Sequence, residues 1–323
     1  MEQRVRAFAP ATVSNLACAF DIVGFAVDEP GDEVEVGFAE GSGAVIGSIS
    51  GDGGRLPRLA TKNTATVAVN ALLDHLGERR GLVIDLHKQM PLGSGLGSSA
   101  ASAAAALWAA NGLLGSPLDA RSLLPFALAA EEAACGTGHA DNAAPSLLGG
   151  MVLIRSYDPL DVIDLPYPPE LYVALVTPQL EIRTGDARRL LADSVPLSKA
   201  VTQWGNVAGL IAGLHSGDYK LIGRSLVDVV IEPQRAALLP GFYRVQKAAL
   251  EAGALGCSLS GSGPTLFALC RGKSCAAHVA EAMRLAFADL DTPSEARHSA
   301  INPSGARILE GRLTSEARGS SRS

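Results

Sequence analysis

The sequence predicts an α+β protein on three observations. Strand-period and helix-period stretches both occur, and the long helical stretches gather in the second half instead of alternating with strands. A chain of 323 residues is long enough for one large or two medium domains with a sizeable core. The proline-rich stretch 158–170 lies between the two halves and reads as a linker.

Residues 4–10 alternate Val5, Ala7 and Ala9 with Arg4, Arg6 and Phe8, a strand that stops at Pro10. Residues 33–38 set Val34, Val36 and Phe38 against Glu33, Glu35 and Gly37, a half-buried strand. The glycine- and serine-rich run 41–54 reads as a hairpin and loop. Thr64–Leu76 carries apolar residues at helical spacing and ends before Gly77, a C-cap. Residues 81–88 alternate again and deliver a strand to Met90-Pro91. Helices are expected over 99–112 and 122–135, and a strand over 151–156. Beyond the linker come a strand over 171–176 and helices over 198–214, 218–230 and 241–251. Strands over 257–260 and 265–270 flank a glycine-rich turn, and an amphipathic helix over 274–289 follows. The division expected is 1–160 and 161–312, with a polar, disordered tail over 313–323.

A formal net charge of -6 argues against a nucleic-acid partner, because phosphate-backbone binding needs a basic face. The five cysteines are odd in number and show no CxxC spacing, so neither a disulfide framework nor a zinc site is expected. The opening residues have no apolar signal core, and no apolar run reaches the ~20 residues of a membrane span. The expectation is a soluble cytoplasmic protein with no membrane partner.

The informative segment is Pro91-Leu92-Gly93-Ser94-Gly95-Leu96-Gly97-Ser98-Ser99-Ala100-Ala101-Ser102. Glycines at alternate positions let the backbone approach a ligand without Cβ obstruction. Ser98 and Ser99 open an alanine run, so the loop feeds a helix N-terminus, where unpaired N–H groups suit a triphosphate. The serine hydroxyls can reach a magnesium ion riding on the phosphates. No Gly-Lys-Ser/Thr follows, so this is not a Walker A loop, and Ser98 stands where a GxGxxG fingerprint needs its third glycine.

This loop resembles the central motif of the galactokinase, homoserine kinase, mevalonate kinase and phosphomevalonate kinase (GHMP) superfamily. Ala9-Pro10-Ala11-Thr12-Val13-Ser14-Asn15-Leu16 resembles the N-terminal substrate loop of that superfamily. Leu259-Ser260-Gly261-Ser262-Gly263-Pro264-Thr265 resembles its C-terminal glycine motif. Four further segments are similar to the homoserine kinases in particular. They are 14–21, with Ala17 and Cys18 departing from a Gly-rich middle, 139–145 (His139, Asp141, Asn142 and Pro145), 184–188, and 231–235. The resemblance implies a two-domain GHMP-kinase-like fold, an N-terminal mixed sheet with helices and a C-terminal ferredoxin-like α/β sandwich. It also implies an ATP- and Mg²⁺-dependent kinase acting on L-homoserine, and a homodimer.

An amino-acid zwitterion suits the residues so marked. Its carboxylate wants the planar donors of Arg188 and Arg235, and its ammonium wants Asp21 and the side-chain oxygen of Asn15. Thr184, four residues before Arg188, shares its face if that segment is helical. Taken alone, either arginine also fits a solvated surface ion pair. Glu131 sits on an otherwise apolar helix and needs a partner. The resemblance makes it the metal ligand beside Ser99; the plainer alternative is a solvent-facing pair with Glu132. Asn63 resembles the family's nucleotide-base contact, and fits equally well as the N-cap of Thr64–Leu76. His139 reads as a loop organiser, with no adjacent acid or nucleophile to make it a catalyst. Gly261 and Asp141 join the substrate side by resemblance. Asn142 stands where sibling kinases carry an Asp base, so the expected role is orienting the acceptor hydroxyl. The alternatives are a sibling kinase for mevalonate or a sugar, and a silent ATP-binding sensor.

Overall fold

The computed structural model describes residues 3–136 and 138–310. The tail expected over 313–323 lies outside these residues. β1 (Arg4–Ser14) pairs antiparallel with β2 (Val23–Ala39), their register shifting between Pro10 and Thr12, where an irregularity accommodates the proline. β3 (Gly43–Ser50) connects through α1 (Thr64–Leu76) to β4 (Gly81–His87), and β3 lies parallel to β4. The hairpin expected over 41–54 is therefore a crossover unit. β3 is an edge strand whose residues are mostly exposed or half-buried, so it lacks the apolar alternation that marks strands.

α2 (Ser98–Leu113) is the central helix, and all of its alanines are fully buried. An all-round small apolar surface lets neighbours approach from every side. α3 (Ala120–Cys135) and α4 (Ala140–Leu148) pack against it. Sequence patterning had not separated α4, because Pro145 within it reads as a breaker. β5 (Met151–Tyr157) pairs with β2 and with β6 (Leu160–Leu165). β6 falls inside the stretch read as a linker, so a division at 160 would cut a hairpin. We place the division in 166–170 instead, where the chain leaves this sheet.

The second half contains β7 (Leu171–Pro178), α5 (Thr184–Arg189), α6 (Leu197–Ser216), α7 (Tyr219–Ser225) and α8 (Glu232–Arg235). It continues with α9 (Phe242–Glu251), β8 (Gly256–Leu259), β9 (Leu266–Arg271), α10 (Lys273–Ala288) and β10 (Ser294–Ala300). Its sheet has the order β10-β7-β9-β8 with every pair antiparallel, the ferredoxin-like arrangement. The helix expected over 218–230 stops at Ser225. The Asp228 carboxylate instead gathers the N–H groups of Val230, Ile231 and Glu232, and so starts α8. β11 (Arg307–Glu310) returns to the first sheet beside β1. The larger hydrophobic cluster takes Leu210, Leu214, Ile222 and Phe267 from the second half, so the halves share a core. Among the described residues no helix is long and apolar enough to cross a membrane.

Candidate active site

The glycine loop is built on left-handed backbone: φ is 66° at Gly93, 81° at Gly95 and 66° at Gly97. A Cβ at Gly95 would stand 2.4 Å from the Ser260 carbonyl oxygen, and one at Gly97 would stand 2.2 Å from Thr12 Oγ1. Only glycine fits both the torsion and the space. The loop is clasped from both halves of the chain. Ser260 Oγ donates to the Gly95 carbonyl at 2.7 Å, the Thr265 N–H to Ser94 at 3.1 Å, and the Thr12 N–H to Leu96 at 3.0 Å. Gly97 caps α2 without a side-chain bond, which leaves the opening N–H groups of the helix for an anion. Ala101 does not share in this, because its N–H already bonds Gly97 at 2.9 Å.

Beneath the loop, Lys88 and Asp32 form a buried ion pair. Lys88 Nζ also donates to the Ser98 carbonyl at 2.9 Å and to Ser102 Oγ at 2.6 Å. Asp32 accepts from the Gln89 N–H at 3.0 Å, so the pair fixes both ends of the loop. Burial pushes the Lys88 ammonium below its ordinary pKa.

The loop separates two spaces. One is a cavity of about 140 Å³ reached by Ser94, Ser99, Glu131, Asp141, Asn142 and Arg235. The other, about 580 Å³, is bordered by Lys62, Asn63, Leu92 and Arg183, and shares Gly93, Ser98 and Ser99 with the first. This partition suits a nucleotide on one side of the loop and a small acceptor on the other.

The acceptor end is densely charged. Both terminal nitrogens of Arg188 donate to Asp21 Oδ2, at 2.6 and 2.8 Å. Arg235 donates to the Gly261 carbonyl at 3.0 Å, and its guanidinium lies 4.9 Å from the Phe20 ring centroid. Asn15 braces this corner: its oxygen accepts from the Asp21 N–H at 3.0 Å and its nitrogen donates to Gly261 at 2.9 Å. Asn142 is held at both ends of its amide. Thr12 Oγ1 donates to Asn142 Oδ1 at 2.9 Å, and Asn142 Nδ2 donates to Ser14 Oγ at 3.1 Å. His139 Nδ1 lies 3.8 Å from Glu131 Oε2.

Burial drives the titration of these groups. It raises the Asp21 pKa, against the pull of Arg188. Burial first, and the Asp21 charge second, push Asp141 up to about 7. Burial opposes the charged form of His139, yet the Glu131, Asp141 and Asp21 carboxylates outweigh it and its pKa rises.

Seven buried side-chain polar atoms among the described residues have no hydrogen-bond partner. Four of them belong to residues that border the smaller cavity: Ser94 Oγ, Glu131 Oε1, Asp141 Oδ1 and Arg235 Nε. Unpartnered buried polar atoms are costly and rare, so their concentration here marks a ligand site.

Residues 63–150 match the model of the GHMP kinases N terminal domain, and residues 210–289 that of the GHMP kinases C terminal domain. The chain is 52% identical to a homoserine kinase of Chlorobium phaeovibrioides over 94% of its own length and 99% of that protein. It superposes on the crystal structure of homoserine kinase from Cytophaga hutchinsonii with a TM-score of 0.94 and 51% identity, covering 96% of this chain and 98% of that one. The chain belongs to the homoserine kinases of the GHMP kinase family. A mevalonate kinase of L. major, at 15% identity and a TM-score of 0.70, shares the fold alone.

Within this homoserine kinase family member, most of the residues marked in the sequence converge. Glu131 is 4% exposed and faces the cavity while Glu132 is exposed, which removes the solvent-facing alternative. Asn63 does cap α1, accepting from the Ala65 N–H at 3.1 Å, and it also borders the larger space. Ala100 and Ala101 have fully buried side chains and border neither space, and Pro91 is exposed at the loop entrance. Three expectations shift. Arg188 already pairs with Asp21, the Asn15 oxygen accepts from the Asp21 backbone, and His139 has an acidic partner in Glu131. Ala17 departs from the Gly-rich middle of the family motif, yet it adopts the left-handed conformation with φ 57°.

Sequence reasoning marked the segments that hold Thr12, Ser14 and Phe20 but gave those residues no role of their own, and it missed the Lys88–Asp32 pair. Thr12 and Ser14 carried a signal, because alternate positions of one strand share a face. Thr12→Val keeps the shape but removes the bond that holds Asn142. We expect kcat to fall about tenfold, the value of one hydrogen bond near 1.4 kcal/mol, with the KM for ATP little changed. Steady-state kinetics with both substrates varied checks this, and equal losses in kcat and ATP affinity would assign Thr12 to the loop instead.

Proposed function

We propose that the chain transfers the γ-phosphoryl group of ATP to the side-chain hydroxyl of L-homoserine, giving ADP and O-phospho-L-homoserine. The carrying observation is one small cavity that joins a glycine loop at a helix N-terminus to buried groups of both charges. A sugar or mevalonate offers no ammonium to the carboxylates there. The loop N–H groups and the start of α2 hold the phosphates, and Arg235 and the buried acids take the two ends of the amino acid. Asn142, fixed by Thr12 and Ser14, orients the hydroxyl toward the loop. Its amide cannot take the proton at neutral pH, and a loose phosphoryl-transfer transition state needs alignment more than a strong base.

Magnesium fits the residues present. Glu131 Oε1 is buried without a partner, and Ser99 borders the same cavity. Among the described residues no cluster of three or more His, Cys, Asp or Glu could hold a metal ion by itself. A single carboxylate with a hydroxyl is the protein share expected for an ion that takes its other ligands from phosphate and water. When bound, it neutralises charge on the transferring phosphoryl oxygens.

A homodimer belongs to the same proposal. Leu197, Val201 and Trp204 are spaced to share one face of α6 and are 71%, 56% and 62% exposed, which supports it. Light scattering near twice 33.2 kDa would check it.

Asn142→Ala tests the alignment step. The expected result is a kcat lowered on the order of 10²-fold with homoserine binding nearly intact, as for loss of orientation. Near-normal kcat would remove Asn142 from the reaction.

A further inference from the structure

One acid stands against the phosphate loop on its nucleotide side. The Glu181 stem packs on Gly93, where a Cβ would meet its Cγ at 2.7 Å and its Oε1 at 3.4 Å. The other oxygen, Oε2, accepts from Arg55 at 2.8 Å, so the pair joins the first half of the chain to the second. Both partners are held from behind. The Asp52 carboxylate accepts from the N–H groups of Gly54 and Leu56, each at 3.0 Å, and so fixes the turn that presents Arg55. Ile182, the residue after Glu181, is buried, and its Cδ1 lies against Gly263.

The plain reading is a surface ion pair, because both side chains are about half exposed. Its placement argues for more. Among the described residues that border the larger space, Glu181 is the acid, against the cations Arg55, Lys62, Lys88 and Arg183. Cations suit phosphate, and a carboxylate on the same loop repels it. A carboxylate there gains only from a ligand group that donates hydrogen bonds. Along a nucleotide, the donors next to the phosphates are the ribose hydroxyls. Gly93 borders both spaces, whereas Pro57 and Asn63 border only the larger one, so Glu181 stands where phosphates give way to the sugar.

We propose that Glu181 is a specificity-determining residue that accepts hydrogen bonds from the ribose hydroxyls of the nucleotide, with Arg55 as the positioning residue that aims it. An ionised carboxylate accepts at about four lone-pair positions, so the bond from Arg55 leaves room for both hydroxyls. Acidic side chains read ribose at dinucleotide sites by the same chemistry. Arg55 also offsets the Glu181 charge beside an anionic ligand. The inference rests on the reading of the chain as an ATP-dependent kinase with its nucleotide in the larger space. It adds the side chain that tells a ribonucleotide from its deoxy forms.

The test is calorimetry of ADP and of 2′,3′-dideoxyADP binding to the full chain with Mg²⁺ present. The wild type is expected to bind ADP at least about tenfold more tightly, the value of a hydrogen bond to a charged, half-exposed acceptor. Glu181→Ala is expected to lose that preference and bind the two within about twofold of each other. Arg55→Met, which leaves the carboxylate unaimed, should cut the preference to about threefold. Binding of 2′,3′-dideoxyADP by each variant certifies a folded site. A preference missing from the wild type, or one that survives in Glu181→Ala, overturns the inference. No acceptor enters these measurements. A wild type that prefers ADP yet fails to turn over L-homoserine overturns the acceptor reading and leaves the inference standing. A chain that binds neither nucleotide overturns the kinase reading and the inference with it.

Discussion

Glu131→Gln is expected to lower kcat on the order of 10²–10³-fold, the range for loss of one electrostatic contact to a transition state. The substitution keeps shape and removes only the charge. Glu131 is 4% exposed, its Oε1 has no protein partner, and it shares the cavity with Ser99 at the start of α2. A buried carboxylate in that state is stable only if something cationic completes it. The Mg²⁺ concentration giving half-maximal rate should rise with the substitution. Because Glu131 Oε2 also lies 3.8 Å from His139, a purely structural effect must be excluded. Homoserine affinity measured with ADP should change only a few-fold. An unchanged kcat and Mg²⁺ dependence would take Glu131 out of the metal site.

The second large effect is expected at Arg235. Arg235→Lys keeps the positive charge but loses the planar fork and the stacking on Phe20, which lies 4.9 Å away. Truncating one side of a buried charged contact costs roughly 2–5 kcal/mol, so the KM for homoserine should rise on the order of 10²-fold or more. L-Homoserinol, which lacks the carboxylate, separates recognition from structure. Its turnover should be nearly equal in the two proteins. A parallel loss with homoserinol would show that Arg235 acts mainly through its 3.0 Å bond to the Gly261 carbonyl.

The parts of this site that were legible in the sequence share a local origin. Gly93, Gly95 and Gly97 alternate because each needs a left-handed backbone within one turn, and the alanine run announces the helix it feeds. Glu131 stood out because it and Glu132 are the acids that interrupt an otherwise apolar stretch of α3. What stayed hidden depends on pairings distant along the chain. Lys88 meets Asp32 from 56 positions away, and Arg188 meets Asp21 from 167. No spacing rule reports either contact, so neither pairing could be named from the sequence. The fold shows the same limit. β3 pairs in parallel with β4 through a crossover that composition cannot display, and Pro145 masks α4 by reading as a breaker. The family resemblance carried the choice of acceptor, and physical pattern alone reached only a phosphate loop at a helix start.

The most direct test of the account is acceptor-dependent turnover by the purified chain with Mg²⁺ and ATP, followed by ADP release and by phosphorus NMR of the product. L-Homoserine is predicted to give ADP and a phosphomonoester in equal amounts, while mevalonate, galactose and the absence of acceptor give only background. Turnover with mevalonate or galactose in place of homoserine, or ADP release that ignores the acceptor, would contradict it.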